Sequence, residues 1–149
     1  MVITIDHSTY IEQITINDLD KLTVFLNTAG TSLNNFRYFN KRDIYVIQNH
    51  LITYLLYHHG DPIGYGHLDL EDNIVWLGIA VIEAKKGMGF GTILMNYLIS
   101  SANNQNITLL RLSVDINNFA AIQLYKKFGF FEETRITDSV LLMNLVLGK

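Results

Sequence analysis

One passage constrains the fold more than any other. Ile74 to Ile82 is apolar nearly throughout. It is far too short to cross a bilayer, which takes about 20 residues, and it reads as a strand covered on both faces. It runs through Glu83-Ala84-Lys85-Lys86 into Gly87-Met88-Gly89-Phe90-Gly91. From Gly89 to Ala102 the pattern turns helical, with Ile93, Leu94, Tyr97 and Leu98 on one side. A strand that passes through alternating glycines straight into an amphipathic helix belongs to a sheet with helices packed on its faces.

The remaining segments fill in that design. Ile11 to Thr15 forms a short first strand, and Asn17 caps a helix that ends near Gly30. Thr31 to Phe39 reads as a second, shorter helix capped by Thr31 or Ser32. Leu51–His58, Ile63–Leu70 and Ile74–Ile82 make a three-strand meander, turned at Gly60-Asp61-Pro62 and Glu71-Asp72-Asn73. Ile107–Val114 is a strand, Asn117 or Asn118 caps a helix through Phe128 that Gly129 stops, and Phe130–Ile136 and Ser139–Leu147 pair antiparallel. The fold class is α+β: a mixed sheet flanked by about four helices. With 149 residues and no linker or repeat, residues 1–149 form a single domain.

Composition removes several function classes. A net charge of −3 argues against a nucleic-acid partner. The absence of Cys excludes disulfide scaffolds, thiolate metal sites and cysteine nucleophiles. The adjacent His58 and His59 make a poor metal site, and no metal is expected. The N-terminus MVITIDHSTY shows no basic segment followed by an apolar core, so a cytoplasmic domain without membrane attachment is the expectation.

The glycine loop carries the chemistry. Glycines let a backbone turn tightly with its N–H groups inward, and the first N–H groups of the following helix lack internal partners and bear partial positive charge. A pyrophosphate fits there, helped by Lys85 and Lys86. A Walker loop would end in Gly-Lys-Ser/Thr, whereas Gly91-Thr92 lacks the Lys. A dinucleotide fingerprint would space its glycines Gly-x-Gly-x-x-Gly, and here the spacing is Gly-x-Gly-x-Gly after a strand of an antiparallel meander.

Lys86-Gly87-Met88-Gly89-Phe90-Gly91 resembles the acyl-coenzyme A signature of the GCN5-related N-acetyltransferases (GNAT), Arg/Gln-x-x-Gly-x-Gly/Ala, with Lys86 where Arg or Gln is usual. Downstream, Leu112-Ser113-Val114 with Asn118, Ala121, Leu124, Tyr125, Gly129 and Phe130 is similar to the second block of that family. The resemblance covers about residues 74–131. It implies a GNAT-like sheet of six to seven strands, splayed between the fourth and fifth. Backbone groups of Ile79, Ala80 and Val81 would hold the pantetheine arm of acetyl-CoA like an added strand, and Lys86, Gly87, Met88, Gly89, Phe90 and Gly91 would hold its pyrophosphate. Asn118 would bond the pantetheine, and Tyr125 would protonate the departing thiolate. Seven residues at ~100° each bring Asn118 and Tyr125 to one helix face.

The resemblance implies an N-acetyltransferase acting by direct attack in a ternary complex, with acetyl-CoA as cosubstrate. The acceptor expected is a primary amine of a small molecule, for instance an amino sugar. A protein N-terminus or lysine is the alternative, and a coenzyme A-binding sensor without catalysis is another. Members that modify protein N-termini often carry Glu where this chain has Ser113. A general base must come from His67, Asp69, Glu71, Asp72 or Glu83. His67 shares a strand face with Asp69 and titrates nearest neutrality, which makes it the catalytic candidate beside Tyr125. Phe36-Arg37-Tyr38-Phe39, with Lys41 and Arg42, offers flat rings and guanidinium groups for an acceptor wall or for stapling a helix to the sheet. The apolar run Val140-Leu141-Leu142-Met143 fits either a homodimer through a sheet edge or face, or the core.

Overall fold

The computed structural model describes residues 1–148, the side chains of residues 31 and 32 excepted. Eight strands form one sheet: β1 (Val2–Thr4), β2 (Thr9–Gln13), β3 (His50–His58), β4 (Asp61–Glu71), β5 (Ile74–Val81), β6 (Leu109–Asp115), β7 (Phe131–Thr137) and β8 (Val140–Val146). They lie in the order β1-β2-β3-β4-β5-β6-β8-β7. Helix α1 (Leu19–Ala29) covers one face, and α2 (Phe90–Asn104) and α3 (Phe119–Lys127) the other. The α+β class and the mixed sheet are as the sequence predicts. The additional strand is β1, which pairs with β2 from Val2↔Glu12 to Thr4↔Tyr10 and is too short to show a period of its own.

Every neighbouring pair is antiparallel except β5 and β6. These two pair only at Val75↔Leu110 and Trp76↔Arg111, then part. β5 stays paired to β4 along its full length and β6 to β8, so the gap opens between two intact half-sheets. The parted strands are the fourth and fifth of the sequence reading, renumbered by the extra β1.

The parting corrects one expectation. β5 is apolar but not covered on both faces: Val75, Leu77 and Ala80 are buried, while Trp76, Gly78, Ile79 and Val81 are half-buried along the gap. The strand sealed on both faces is β4, buried without a break from Ile63 to Asp69. Its alternation sends Tyr65, His67 and Asp69 to the α1 face, Tyr65 joining Leu22 and Phe25 of α1 in one cluster.

The expected helix over residues 31–39 is absent. The chain takes 3-10 turns at Gly30–Leu33, Tyr38–Asn40 and Ile44–Asn49; the capping role read for Thr31 or Ser32 lies outside the described residues. The rings explain the departure. Phe36 and Phe39 both pack on Tyr65 (centroids 5.4 and 5.6 Å), and Tyr38 packs on His67 at 4.3 Å. In an α-helix Phe36 and Tyr38 would point about 200° apart. A 3-10 turn, Ile16–Asp18, leads into α1, and Thr15 rather than Asn17 caps it: the Thr15 hydroxyl accepts from the Asn17 N–H (3.2 Å), and Asp18 accepts from the Thr15 N–H (2.9 Å).

β8 lies inside the sheet between β6 and β7, with Leu141, Leu142 and Met143 buried. Its apolar run is therefore core and offers no edge for self-association. The edge on this side is β7, exposed along all seven residues, and β1 forms the other. Among the described residues, no helix is long and apolar enough to cross a membrane.

Candidate active site

The gap between β5 and β6 continues into a cavity of about 760 Å³. It runs from Lys85, Lys86, Gly87, Gly89 and Gly91 at one end, past Ile79, Ala80, Val81 and Tyr125, to His67, Asp69 and Glu71 at the other. The strands meet at Trp76 and Arg111, so the glycine loop sits at the wide end of the V and Gly78 near its apex.

At the wide end, β5 stops at Val81 and a 3-10 turn, Glu83–Lys85, leads to the loop. Gly87 and Gly89 both have positive φ, 78° and 88°, in the left-handed region that side-chain-bearing residues avoid. Gly89 is the N-cap of α2 and supplies no side-chain cap. The first N–H groups of α2 therefore have no side-chain cap, and such an arrangement can hold an anion against those donors and the helix dipole. Gly91 serves a different purpose: a Cβ on it would come 2.9 Å from Leu124 of α3. Lys86 lines the cavity with its ammonium 3.2 Å from Glu83. Met88 is exposed and Phe90 turns into the core beside His58 (centroids 5.0 Å). These two have only backbone groups to offer.

Asn118 and Tyr125 both line the cavity. Asn118 caps α3, its side-chain oxygen accepting from the Ala121 N–H at 3.4 Å. Tyr125, its ring tilted against Phe130 (centroids 5.9 Å), is almost wholly buried, and burial pushes its phenol up. It holds its proton throughout the neutral range.

At the narrow end His67 is buried. Its Nδ1 lies 2.6 Å from the hydroxyl of Tyr65, and its ring packs between Tyr38 and His50 (centroids 4.3 and 4.5 Å). The expectation of a histidine poised near neutrality is not met. Burial, then His50 and Arg42, hold it well below the usual imidazole range. Asp69, also buried, accepts from the Tyr38 hydroxyl at 2.7 Å. That hydroxyl lies 2.7 Å from His50 Nε2, and His50 Nδ1 lies 2.8 Å from the Thr53 hydroxyl. Burial lowers His50 to about 4. Glu71, at the mouth, is pushed up by its hydrogen bond to Asp69 and by burial.

The segment before β3 closes this end. Phe36, Arg37, Tyr38 and Arg42 line the cavity, as the acceptor-wall reading expects, while Phe39 packs behind them on Tyr65. Arg37 reaches across to Asp115 at the end of β6 with two hydrogen bonds of 2.9 and 2.7 Å. The guanidinium holds the Asp115 carboxyl below its ordinary value. Asp115, His50 and Trp76 escaped the sequence reading. Asp115 ends a strand three residues before Asn118, which is the one signal it gives; His50 gives none. Among the described residues no group of His, Asp and Glu could hold a metal ion.

Comparison with known proteins follows the same outline. The Acetyltransferase (GNAT) family profile matches residues 19–130. The GNAT domain of S. lividans PAT superposes with a TM-score of 0.78 at 15% identity, over 93% of this chain and 90% of that one. A GNAT-family acetyltransferase from Streptococcus pneumoniae gives 0.71 at 24% identity, over 93% and 99%. The yncA protein of Salmonella typhimurium, solved with its cofactor acetyl-CoA, gives 0.75 at 17% identity, over 96% of each. No curated protein matches the chain.

Proposed function

The chain belongs to the GNAT acetyltransferase family, and from that premise we propose that it transfers an acetyl group from acetyl-CoA directly to the primary amine of a small molecule, an amino sugar being one such acceptor. What carries the reading is a single cavity that joins a loop of free helix N–H groups to an enclosed polar end, with Tyr125 between them.

The parts divide the work. The N–H groups from Lys86 to Gly91 bind the diphosphate, Met88 and Phe90 through their backbone alone. The open edge of β5 at Ile79, Ala80 and Val81 hydrogen-bonds the pantetheine arm as a neighbouring strand would, and Asn118 bonds it from α3. Both substrates occupy one cavity, so the amine attacks the thioester without a covalent enzyme intermediate. Tyr125 gives its proton to the leaving sulfur. A free thiol ionises near 8.5, and the burial that raises the phenol raises a thiol in the same cleft, keeping the transfer within reach. His67 stands at the acceptor end.

The narrow end favours a small acceptor. The bridge from Arg37 to Asp115 crosses the cleft, and Phe36 and Trp76 line it with aromatic groups of the kind that pack a sugar face. Asp69 and Glu71 line this end, Glu71 3.4 Å from Arg42, and their carboxyl groups suit an amine acceptor.

The test is a thiol-release assay over a panel of amino sugars, alkylamines and peptides with free N-termini or lysines, run beside calorimetry with acetyl-CoA. Turnover on small amines is the expected result. Turnover on peptides alone would move the acceptor to protein, and tight acetyl-CoA uptake without turnover on any amine would make the chain a sensor.

A further inference from the structure

His67 lies at the apex of the V. A Cβ on Gly78, its register partner on β5, would sit 2.8 Å from His67 Nε2 and 3.2 Å from Phe36. The imidazole thus lies flush on the β5 backbone where the strands begin to part. On the acetyltransferase reading, an arm running from the glycine loop past Val81, Ala80 and Ile79 would end at the level of Gly78, where that nitrogen lies.

Which nitrogen carries the proton follows from what surrounds the ring. Tyr65 is fully buried, and its hydroxyl has one side-chain partner, His67 Nδ1. If Nδ1 donated to the phenol oxygen, the phenol O–H would be left in the core with no acceptor, and an unsatisfied buried donor is the costly case. The phenol therefore donates and Nδ1 accepts. Tyr65 keeps that proton because burial pushes its phenol well up, and His67 is uncharged because burial, His50 and Arg42 hold it down. The remaining proton sits on Nε2. That nitrogen makes no hydrogen bond among the described residues and is not sealed from the cavity. The groups facing the ring are Tyr65 from β4, His50 from β3, and Phe36, Tyr38 and Arg42 from the covering segment. His50 obeys the same logic. The Tyr38 hydroxyl spends its proton on Asp69, so His50 Nε2–H donates to it and His50 Nδ1 accepts from Thr53.

We propose that His67 serves acyl transfer as a hydrogen-bond donor and not as the base: its Nε2–H, fixed by Tyr65, donates to the carbonyl oxygen of the thioester. This rests on the acetyltransferase reading above. As the amine nitrogen bonds to the carbonyl carbon, the C=O π pair moves onto oxygen, where the fixed N–H stabilises it. The pair returns as the C–S bond breaks, and the thiolate takes the Tyr125 proton. An acceptor held as its ammonium must first give one proton to Glu71, which passes it to water at the mouth; the second surplus proton on nitrogen leaves by the same route after attack, and Tyr125 is reprotonated from that water.

Long-range ¹H–¹⁵N spectra of the histidine rings, taken on the ligand-free protein at pH 7.5 and assigned with His67→Gln and His50→Gln, read the tautomer directly. A protonated Nε2 and a bare Nδ1 on His67 are expected; a protonated Nδ1, or protons on both, overturns the proposal. In the wild-type background His67→Gln, which keeps an amide N–H near the Nε2 position, should retain kcat within about 10-fold. His67→Leu, which fills the site but carries no donor, should lose about 10²-fold or more. The reverse order overturns the donor role. Tyr65→Phe should mix the tautomers and lower kcat with KM for acetyl-CoA unchanged, and an unmixed spectrum would refute its positioning role. Calorimetry keeps the two levels apart. A wild type that takes up no acetyl-CoA defeats the acetyltransferase reading and the catalytic role with it, whereas one that binds and turns over with the wrong tautomer defeats only the donor.

Discussion

Gly78→Ala tests the geometry at the apex of the cleft. The added methyl would lie 2.8 Å from His67 Nε2 and 2.9 Å from Cε1, where ordinary contact begins at 3.4 Å. The imidazole edge must therefore retreat by roughly 0.6 Å or more, with little room to do so. Tyr38 and His50 close its flanks, and the Tyr65 hydroxyl holds Nδ1 at 2.6 Å. Overpacking of this kind costs about 1–3 kcal/mol of stability. A displacement approaching 1 Å of a group at the reacting centre costs about 10²-fold in rate. The expected result is a kcat lowered by about that factor while calorimetric affinity for acetyl-CoA is nearly kept, since the glycine loop is untouched. Gly60→Ala is the control. Gly60 has φ of 84° in the turn between β3 and β4, and a Cβ there meets nothing within 4 Å. It should lose about 1–2 kcal/mol through backbone strain and leave kcat unchanged. If Gly78→Ala turns over like the wild type, or if Gly60→Ala slows turnover as much, the placement of His67 against β5 does not govern the chemistry.

Tyr125→Phe should lower kcat by about 10²-fold with the fold and acetyl-CoA affinity retained, because the ring stays and only the proton donor goes; steady-state kinetics with a thermal melt check it. A double-mutant cycle on Arg37→Ala and Asp115→Ala should give a coupling of only about 0.5 kcal/mol in urea unfolding, weaker in salt, because Arg37 is about half exposed. The buried histidines set a pH dependence. His67 and His50 bind protons more readily unfolded than folded, so their contribution is whole above the unfolded imidazole value of about 6.5 and is lost as pH falls toward the folded values. Glu71, pushed up, acts in the opposite sense. The urea midpoint difference between wild type and His67→Gln isolates the histidine: it should shrink from pH 7.5 to pH 5, and a constant difference would refute the assignment.

What could be read from the sequence is what local geometry encodes. Gly87 and Gly89 announce a backbone that turns with positive φ, and they do. Asn118 and Tyr125 stand two helical turns apart and both reach the cavity. The parted strands were placed by likeness to a family and not by periodicity, since apolar β5 looks like any sheathed strand. Its half-buried face lines a gap that only β6, some thirty residues later, creates. The state of His67 was beyond reach because Tyr38 and His50, which enclose it, come from segments far apart in the chain. The covering segment misled for a related reason. Thr31 or Ser32 reads as a helix cap ahead of it, yet the rings of Phe36, Tyr38 and Phe39 answer to Tyr65 and His67 on the sheet, and 3-10 turns are the local price of aiming them together.

The two rungs that join β5 to β6 have a mechanical consequence. Strands β1 to β5 and strands β6 to β8 behave as two plates seamed at one corner, held otherwise by the helices laid beneath them. A ligand threaded along β5 would act as the missing lath. Amide hydrogens of β6 near Ser113 and Val114 should then exchange more slowly once it is in place, stiffening a molecule whose weakest line is also its working surface.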